Sequence, residues 1–302
     1  MKKIVYLIAI LFSHEISYSQ DTTNNFLPAV KISDITGQGG IYFQGYDWTF
    51  PGFKALAPGS ALLQNDLSGY YEQSELVYNF NEYGFIPDGG GMLSVKLGLN
   101  FLNKKKQQYS NATVRTGLSY FSNCYYSSEL YKAETNTYDS FYTDTTFIYL
   151  DSVSTNIFSF RHEWKQLNVD VSLMYTLRQK RNLSFGVGIG FAAGLIFNSH
   201  TTIGYQHYTD TVFVKHHMPG NLIYHDGNAQ IKEEHANKDG LSCSVYVPLE
   251  MNINLHSRNH PFWKKIHFTF GVQPGINYLS FPGLHTMRGV AVPVTAGLRF
   301  SL

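Results

Sequence analysis

Several groups of residues in this 302-residue chain could do chemistry. Gly188-Ile-Gly190-Phe-Ala-Ala193, inside Leu183–Asn198 (LSFGVGIGFAAGLIFN), satisfies the loose G-x-G-x-x-G/A spacing of a dinucleotide-binding turn. A second group is the charged set Lys96, Arg115, Asp170, Glu250, His267 and Arg299, which could form a buried ion-pair network or line an ion path. A third is a run of histidines (His200, His207, His216, His217, His225 and His235) beside Asp210, Asp226, Glu233 and Glu234. Imidazole and carboxylate donors suit transition metals. Serine, histidine and carboxylate could also combine for acyl transfer on a lipid. Cys124 and Cys243 could form a disulfide in an oxidising compartment.

Which of these chemistries survives depends on the elements that carry the residues. In Leu183–Asn198, one alternate set reads Leu183, Phe185, Val187, Ile189, Phe191, Ala193, Leu195, Phe197. The other reads Ser184, Gly186, Gly188, Gly190, Ala192, Gly194, Ile196, Asn198. A period of two with one large apolar face and one small face is a strand. The glycines would weaken a helix by roughly 1 kcal/mol each. A dinucleotide site needs a strand-turn-helix context and an acidic residue about twenty positions on, so that reading is discarded. The same alternation recurs in Met92–Phe101, Thr113–Ser122, Leu167–Leu177, Leu241–Leu255, Ile266–Tyr278 and Val290–Leu302. Every charge in these segments falls on the small-residue face.

That one-sidedness points to a membrane. A charge facing lipid at mid-bilayer costs about 2–4 kcal/mol, whereas one in a lumen can find water or a counter-ion. A soluble sandwich would carry Lys, Glu and Thr on its polar face; here that face is rich in Gly, Ser and Asn. Aromatic residues make up 16% of the chain and charged residues only 15%, against a usual ~25% charged. After the N-terminus no apolar run of ~18 residues exists, which excludes a helical membrane protein. The formal net charge of +1 gives no basic excess, so no nucleic-acid partner is expected. At the N-terminus, Lys2 and Lys3 precede the apolar run Ile4–Phe12 and the small-x-small site Ser17-Tyr18-Ser19. This reads as a secretory signal peptide over residues 1–19, followed by one domain over 20–302.

Val30–Gln44, weaker in pattern, supplies the eighth strand that an even-numbered closed barrel requires. The connections then alternate. Lys104–Ser110, Arg178–Asn182 and Asn254–Lys265 are short, polar or basic turns, whereas Gly45–Gly90, Asn123–Trp164 and Asn198–Gly240 are long loops, with a shorter one at Phe281–Arg288. The expected fold is all-β: an eight-stranded antiparallel up-and-down transmembrane barrel with three long extracellular loops and short periplasmic turns. LSFGVGIGFAAGLIFN, the signal ending in Gln20, and the C-terminal VAVPVTAGLRFSL resemble the small outer-membrane barrels of the OmpA/OmpX type, and more closely the PorT-like proteins. The resemblance implies an outer-membrane location, a lipid surround and contact with the barrel-assembly machinery during insertion.

An eight-stranded lumen is just wide enough to be filled by side chains, which favours a salt-bridged plug over an ion conduit. No fixed spacing backs a metal site in the histidine-rich loop, and no cofactor is expected. The lipid-facing set holds no Ser or His, so a hydrolase site would have to come from loops, and a non-enzymatic role is expected. Cys124 and Cys243 fall on strands that are not neighbours, which argues against a disulfide. The long loops are the expected recognition surface for a protein partner, through Trp48, Phe50 and Phe53 in the first and Tyr125 and Tyr126 in the second. Aromatics there could equally pack together and cap the barrel. The expected role is structural, adhesive or accessory to an envelope machine; a narrow pore and a lipid-modifying enzyme are the alternatives.

Overall fold

The computed structural model describes residues 30–46, 54–64, 67, 69–73, 89–103, 108–143, 146–180, 182–215, 221–227, 230–255, 262–283 and 286–302. The signal segment 1–19, and Trp48, Phe50 and Phe53, lie outside the described residues.

The described chain is an antiparallel all-β sheet with only short helical turns. Its strands are β1 (Val30–Tyr46), β2 (Tyr71–Gln73), β3 (Gly89–Asn103), β4 (Gln108–Thr143), β5 (Thr146–Lys180), β6 (Leu183–Lys215), β7 (Asn221–Gly227), β8 (Ile231–Ala236), β9 (Gly240–Tyr246), β10 (Leu249–Asn254), β11 (Ile266–Val272), β12 (Gly275–Ser280) and β13 (Met287–Ser301). β1 pairs with β3 on one side and with β13 on the other, from Asp34↔Ser301 to Tyr46↔Gly289. Between them the ladder runs β3–β4–β5–β6, then through β9 and β10 to β12 and β11, and back to β13. The pairings therefore form a closed circuit, and neither chain end leaves an open edge.

Two segments expected as single strands are interrupted. Leu241–Leu255 breaks at Val247-Pro248, and Ile266–Tyr278 breaks at Gln273-Pro274. Proline has no N–H to give to a ladder. Their carbonyls still take part: Gly188 N–H donates to Pro248 O at 3.0 Å and Val247 N–H to Pro274 O at 2.8 Å. β9 and β10 each pair with β6, so the two halves stay in one lane.

The segments expected as the second and third long loops are strands. β4 and β5 stay paired from Cys124↔Trp164 to Thr143↔Thr146, and β6 follows β5 up to Ile148↔Lys215. At ~3.3 Å per residue the hairpin projects about 60 Å past the closed part of the sheet. β7 and β8 pair with β6, and β2 with β4, so the projection is itself a sheet. These stretches (for example Thr146–Phe160, TFIYLDSVSTNIFSF) keep the Thr, Tyr, Ile and Val that fit a pleated surface. Clean apolar alternation fades there because above the closed part of the sheet neither face has to meet one uniform apolar surround. Register shifts mark where the projection leaves the closed sheet, between Phe121 and Cys124 on β4 and between Glu163 and Lys165 on β5. Asn123 and Asn198 both sit at φ 53°, a left-handed conformation that Asn tolerates better than most residues.

Burial is inverted relative to an ordinary domain. Facing outward are Leu93 and Val95 on β3, Leu167, Val169, Val171 and Leu173 on β5, Ile189 and Phe191 on β6, and Val290, Val294 and Leu298 on β13. Facing inward and buried are Asp34, Lys96, Arg115, Asn168, Asp170, Glu250, Asn252 and Thr269. Closure can be checked at the seam. In a background free of native cysteines, Ile41→Cys with Val294→Cys, register partners on β1 and β13, should oxidise to an intramolecular disulfide. Intermolecular crosslinks alone would show that the seam is open.

Candidate functional site

The interior holds two ion clusters built from strands around the circuit. In the first, Lys96 Nζ of β3 lies 3.0 Å from Asp170 Oδ2 of β5. Tyr246 of β9 donates its hydroxyl to Asp170 Oδ1 at 2.7 Å, and Lys96 Nζ stands 5.5 Å from the centre of the Tyr246 ring. In the second, Arg115 of β4 sits between two carboxylates: Nη1 bonds Glu250 Oε2 of β10, and Nε lies 3.5 Å from Asp34 Oδ1 of β1. Arg299 of β13 closes on Asp34 Oδ2 at 3.1 Å, and Ser33 and Thr36 donate their hydroxyls to the same carboxylate.

Register explains how charges two strands apart can meet. Gly98 stands between Asp34 on β1 and Arg115 on β4, paired with both. Gly117 stands in the same way between Lys96 on β3 and Asp170 on β5. A Cβ at Gly98 would collide with the Asp34 carboxylate, and one at Gly117 with the backbone at Lys96. The missing side chains leave the corridor through which the ion pairs form. Gly190, from the would-be nucleotide motif, does the same for Tyr246, whose ring lies against its backbone.

Of the six charged residues singled out from sequence, five enter these clusters. His267 makes no ion pair with a carboxylate; its Nε2 lies 2.9 Å from Ser301 Oγ near the turn end. Asp34 and Tyr246 were not singled out. The charge balance pointed toward Asp34, since Lys96, Arg115 and Arg299 outnumber Asp170 and Glu250, and Asp34 is the only carboxylate in the eighth strand. Tyr246 gave no such signal, because a tyrosine on a small-residue face reads as filler until its partner is placed.

Above the clusters lies a cavity of about 30 Å³, lined among others by Ser119, Gln166, Asn168, Asp170, Tyr246 and Gln273. That is room for one or two waters. On the loop side it adjoins an apolar cap, which shares Tyr42, Met92, Phe121 and Ala291 with its lining. Leu56, Ala57, Leu62 and Leu63 of the first loop pack with Phe121, Cys124, Leu130, Phe158, Phe160, Trp164, Leu279 and Phe281. The cap is pinned by polar contacts to β8 and the residue after it. Ser60 Oγ donates to Glu233 Oε2 at 2.5 Å, Leu62 N–H to Glu233 Oε1 at 3.2 Å, and Asn237 Nδ2 to Leu56 O at 2.6 Å. The Ser60 hydroxyl holds the Glu233 carboxyl below its usual range, with His235 and the Leu62 amide acting in the same direction against partial desolvation.

Tyr125 and Tyr126, offered from sequence as recognition residues, are half-buried. The Arg161 guanidinium lies 4.4 Å from the centre of the Tyr125 ring, and Tyr126 packs on the cap cluster. Cys124 is buried in the cap, and both cysteines are free thiols. Among the described residues no group of His, Cys, Asp and Glu is placed to hold a metal ion.

One histidine is paired with a serine. His162 Nε2 lies 3.2 Å from Ser199 Oγ, and its Nδ1 lies 2.8 Å from Thr201 Oγ1. A catalytic dyad needs access to substrate, but His162 is 0% exposed and Ser199 4%. The Phe281 ring stands edge-on at 4.9 Å. Burial pushes the His162 imidazole down to about 3, with His200 acting in the same direction, so it is a neutral part of the cap.

No family model and no curated protein matches the chain. Among solved structures, Ail, the attachment invasion locus protein of Yersinia pestis, is similar at 8% identity over 89% of this chain and 100% of that one, with a TM-score of 0.21. The monoaromatic hydrocarbon channel TodX (a deletion mutant) is similar at 9% identity over 90% of both chains, with a TM-score of 0.14. Likenesses this low carry no argument, and the reading below rests on the pairings and the interior.

Two outcomes follow from this geometry. Arg115→Met should lower the unfolding free energy by about 3–5 kcal/mol, because Asp34 and Glu250 are left buried with too little positive charge. Combining it with Asp34→Asn and Glu250→Gln should restore most of that loss. Thermal unfolding followed by the gel mobility of unheated and heated protein reads both, and a single variant as stable as the parent would refute the network's role. His162 binds its proton more weakly folded than unfolded. Its contribution is therefore fully present above pH ~6.5 and lost as pH falls from there toward about 3, by at most ~1.4 kcal/mol per pH unit. Protection factors of the Phe158–Trp164 amides, taken relative to the intrinsic exchange rate at each pH, should fall as pH drops across that window in the parent and less steeply in His162→Gln; equal slopes would contradict the assignment.

Proposed function

We propose that the chain is an eight-stranded up-and-down β-barrel of the bacterial outer membrane, closed to flow, that displays its projecting sheet as a recognition surface and carries out no catalysis. β9 with β10, and β11 with β12, each count as one strand interrupted at a proline. β1, β3, β4, β5, β6 and β13 complete the eight.

The observation that carries the reading is the closed, inside-out sheet. A sheet with its apolar face outward and its charges inward needs an apolar surround. The exposed stretch Leu167–Leu177 on β5 measures about 33 Å along the strand at ~3.3 Å per residue. At a tilt of ~40° this is about 25 Å of height, the apolar band of an outer-membrane barrel. No described helix is long and apolar enough to cross a membrane.

The plug reading over a pore is supported by the two ion clusters and the apolar cap lying one above the other. The accessory or adhesive role is supported by the length of the β4–β5–β6 projection. The enzymatic alternative has little support, since the Ser199–His162 pair is sealed within the cap.

Purified protein inserted into planar bilayers should show no steady conductance. A reproducible single-channel step from the unmodified chain would overturn the closed reading and favour the narrow pore.

A further inference from the structure

We infer that the turn end of the sheet carries a docking site for the phosphate of an anionic phospholipid headgroup, formed by Lys264 and Lys265 over the aromatic cluster Phe262, Trp263 and Phe300. The inference rests on the membrane reading above and adds a specific ligand class and location to it.

Phe262 leads into the short 3-10 turn Trp263–Lys265, which delivers the chain into β11. All four of these residues are exposed, Phe262 and Trp263 to 56% and 45%. Large rings left open to this degree would be costly in water, and here they form a cluster. Phe262 lies 5.6 Å from Trp263 in an edge arrangement and 6.1 Å from Phe300 on β13. Lys265 Nζ stands 5.9 Å from the centre of the Phe300 ring. The outward apolar band on these strands, Phe268, Phe270 and Leu298, comes down to this cluster. The rings thus sit where a bilayer passes from chains to headgroups, the depth at which tryptophan is enriched. The lysine stems can lie along the rings while the ammonium groups reach the headgroup plane.

Charge selects the headgroup. Among the described residues neither Lys264 nor Lys265 has a carboxylate within ion-pair distance, unlike Lys132, Arg161 and Lys232 at the loop end, which are paired with Glu134, Glu163 and Glu234. The sequences joining β3 to β4 and β5 to β6 at the turn end, KKKQ and RN, contain no acidic residue. A zwitterionic headgroup brings its own cation and gains little from such a rim, whereas a phosphodiester with net negative charge gains from each lysine.

The test is lipid retention by the full chain reconstituted in a mixture of phosphatidylcholine and phosphatidylglycerol, extracted mildly and read by native mass spectrometry. Gel mobility of unheated protein reports insertion independently. The unmodified chain should retain phosphatidylglycerol in several-fold excess over its share of the bilayer. The excess should fall in K264Q and in K265Q and be lost in K264Q/K265Q, and Trp263→Ala should weaken it with both lysines present. Inserted protein that retains the two lipids in bulk proportion, or a K264Q/K265Q chain that retains as much phosphatidylglycerol as the parent, would overturn the site and leave the barrel standing. Displacement of phosphatidylglycerol by soluble glycerophosphate at millimolar concentration would reassign the ligand to a free phosphate ester and overturn the lipid. Failure to insert in either lipid would bring down the barrel reading, and the site with it.

Discussion

A sheet that turns its apolar side outward can persist only if it has no edge. In the apolar surround proposed above, water cannot satisfy an unpaired N–H or C=O, and each one left open costs several kcal/mol. The β1–β13 seam, paired from Asp34↔Ser301 to Tyr46↔Gly289, is therefore the contact on which the remaining structure depends. It explains why the weakly patterned β1 must be a full strand. It also explains why Pro248 and Pro274 are tolerated, because their carbonyls still accept bonds from the neighbouring lane.

Closure creates a second problem, since whatever faces inward is removed from water too. The lower interior solves it with opposite charges and the upper interior with apolar packing. Lone charges there would be prohibitive, so each is given a partner across the lumen, and glycine at the intervening register position leaves room for the contact. The glycine-rich face is thus the spacer set of an ion network. Where the closed part of the sheet ends, Leu56, Ala57, Leu62 and Leu63 pack with aromatic residues of β4, β5 and the β12 end in one apolar cluster. Glu233 and Asn237 fix that cluster to the projecting sheet, so the cap and the display surface form one mechanical unit.

Beyond the belt the constraint relaxes. β4, β5 and β6 continue as strands because their backbones already have partners and their side chains suit a pleated sheet. The bulges near Asn123 and Asn198 lie where the wall ends, and a bulge there turns the strands from a curved wall into a projecting sheet. The result keeps its ion pairs inside the closed sheet and carries a projecting sheet beyond it.

The sequence by itself determined most strands of the closed sheet, the direction each of their faces points and the membership of most charges in the interior, because a period of two is local and every charge in those segments keeps to one face. Leu183–Asn198 shows this: its large and small faces were readable residue by residue. Pairing partners were not readable, since Asp34 reaches Arg115 and Arg299 only after closure brings β1 beside both β3 and β13. The fate of the long connections was not readable either. A segment outside the closed sheet, with no one uniform surround on either face, loses its alternation whether it is loop or strand, and only the partner strands of Thr146–Phe160 decided between them. Likewise the apolar residues of the first loop fitted a recognition patch and a cap equally well in sequence; where they pack is a tertiary fact, set by the hollow at the end of the closed sheet.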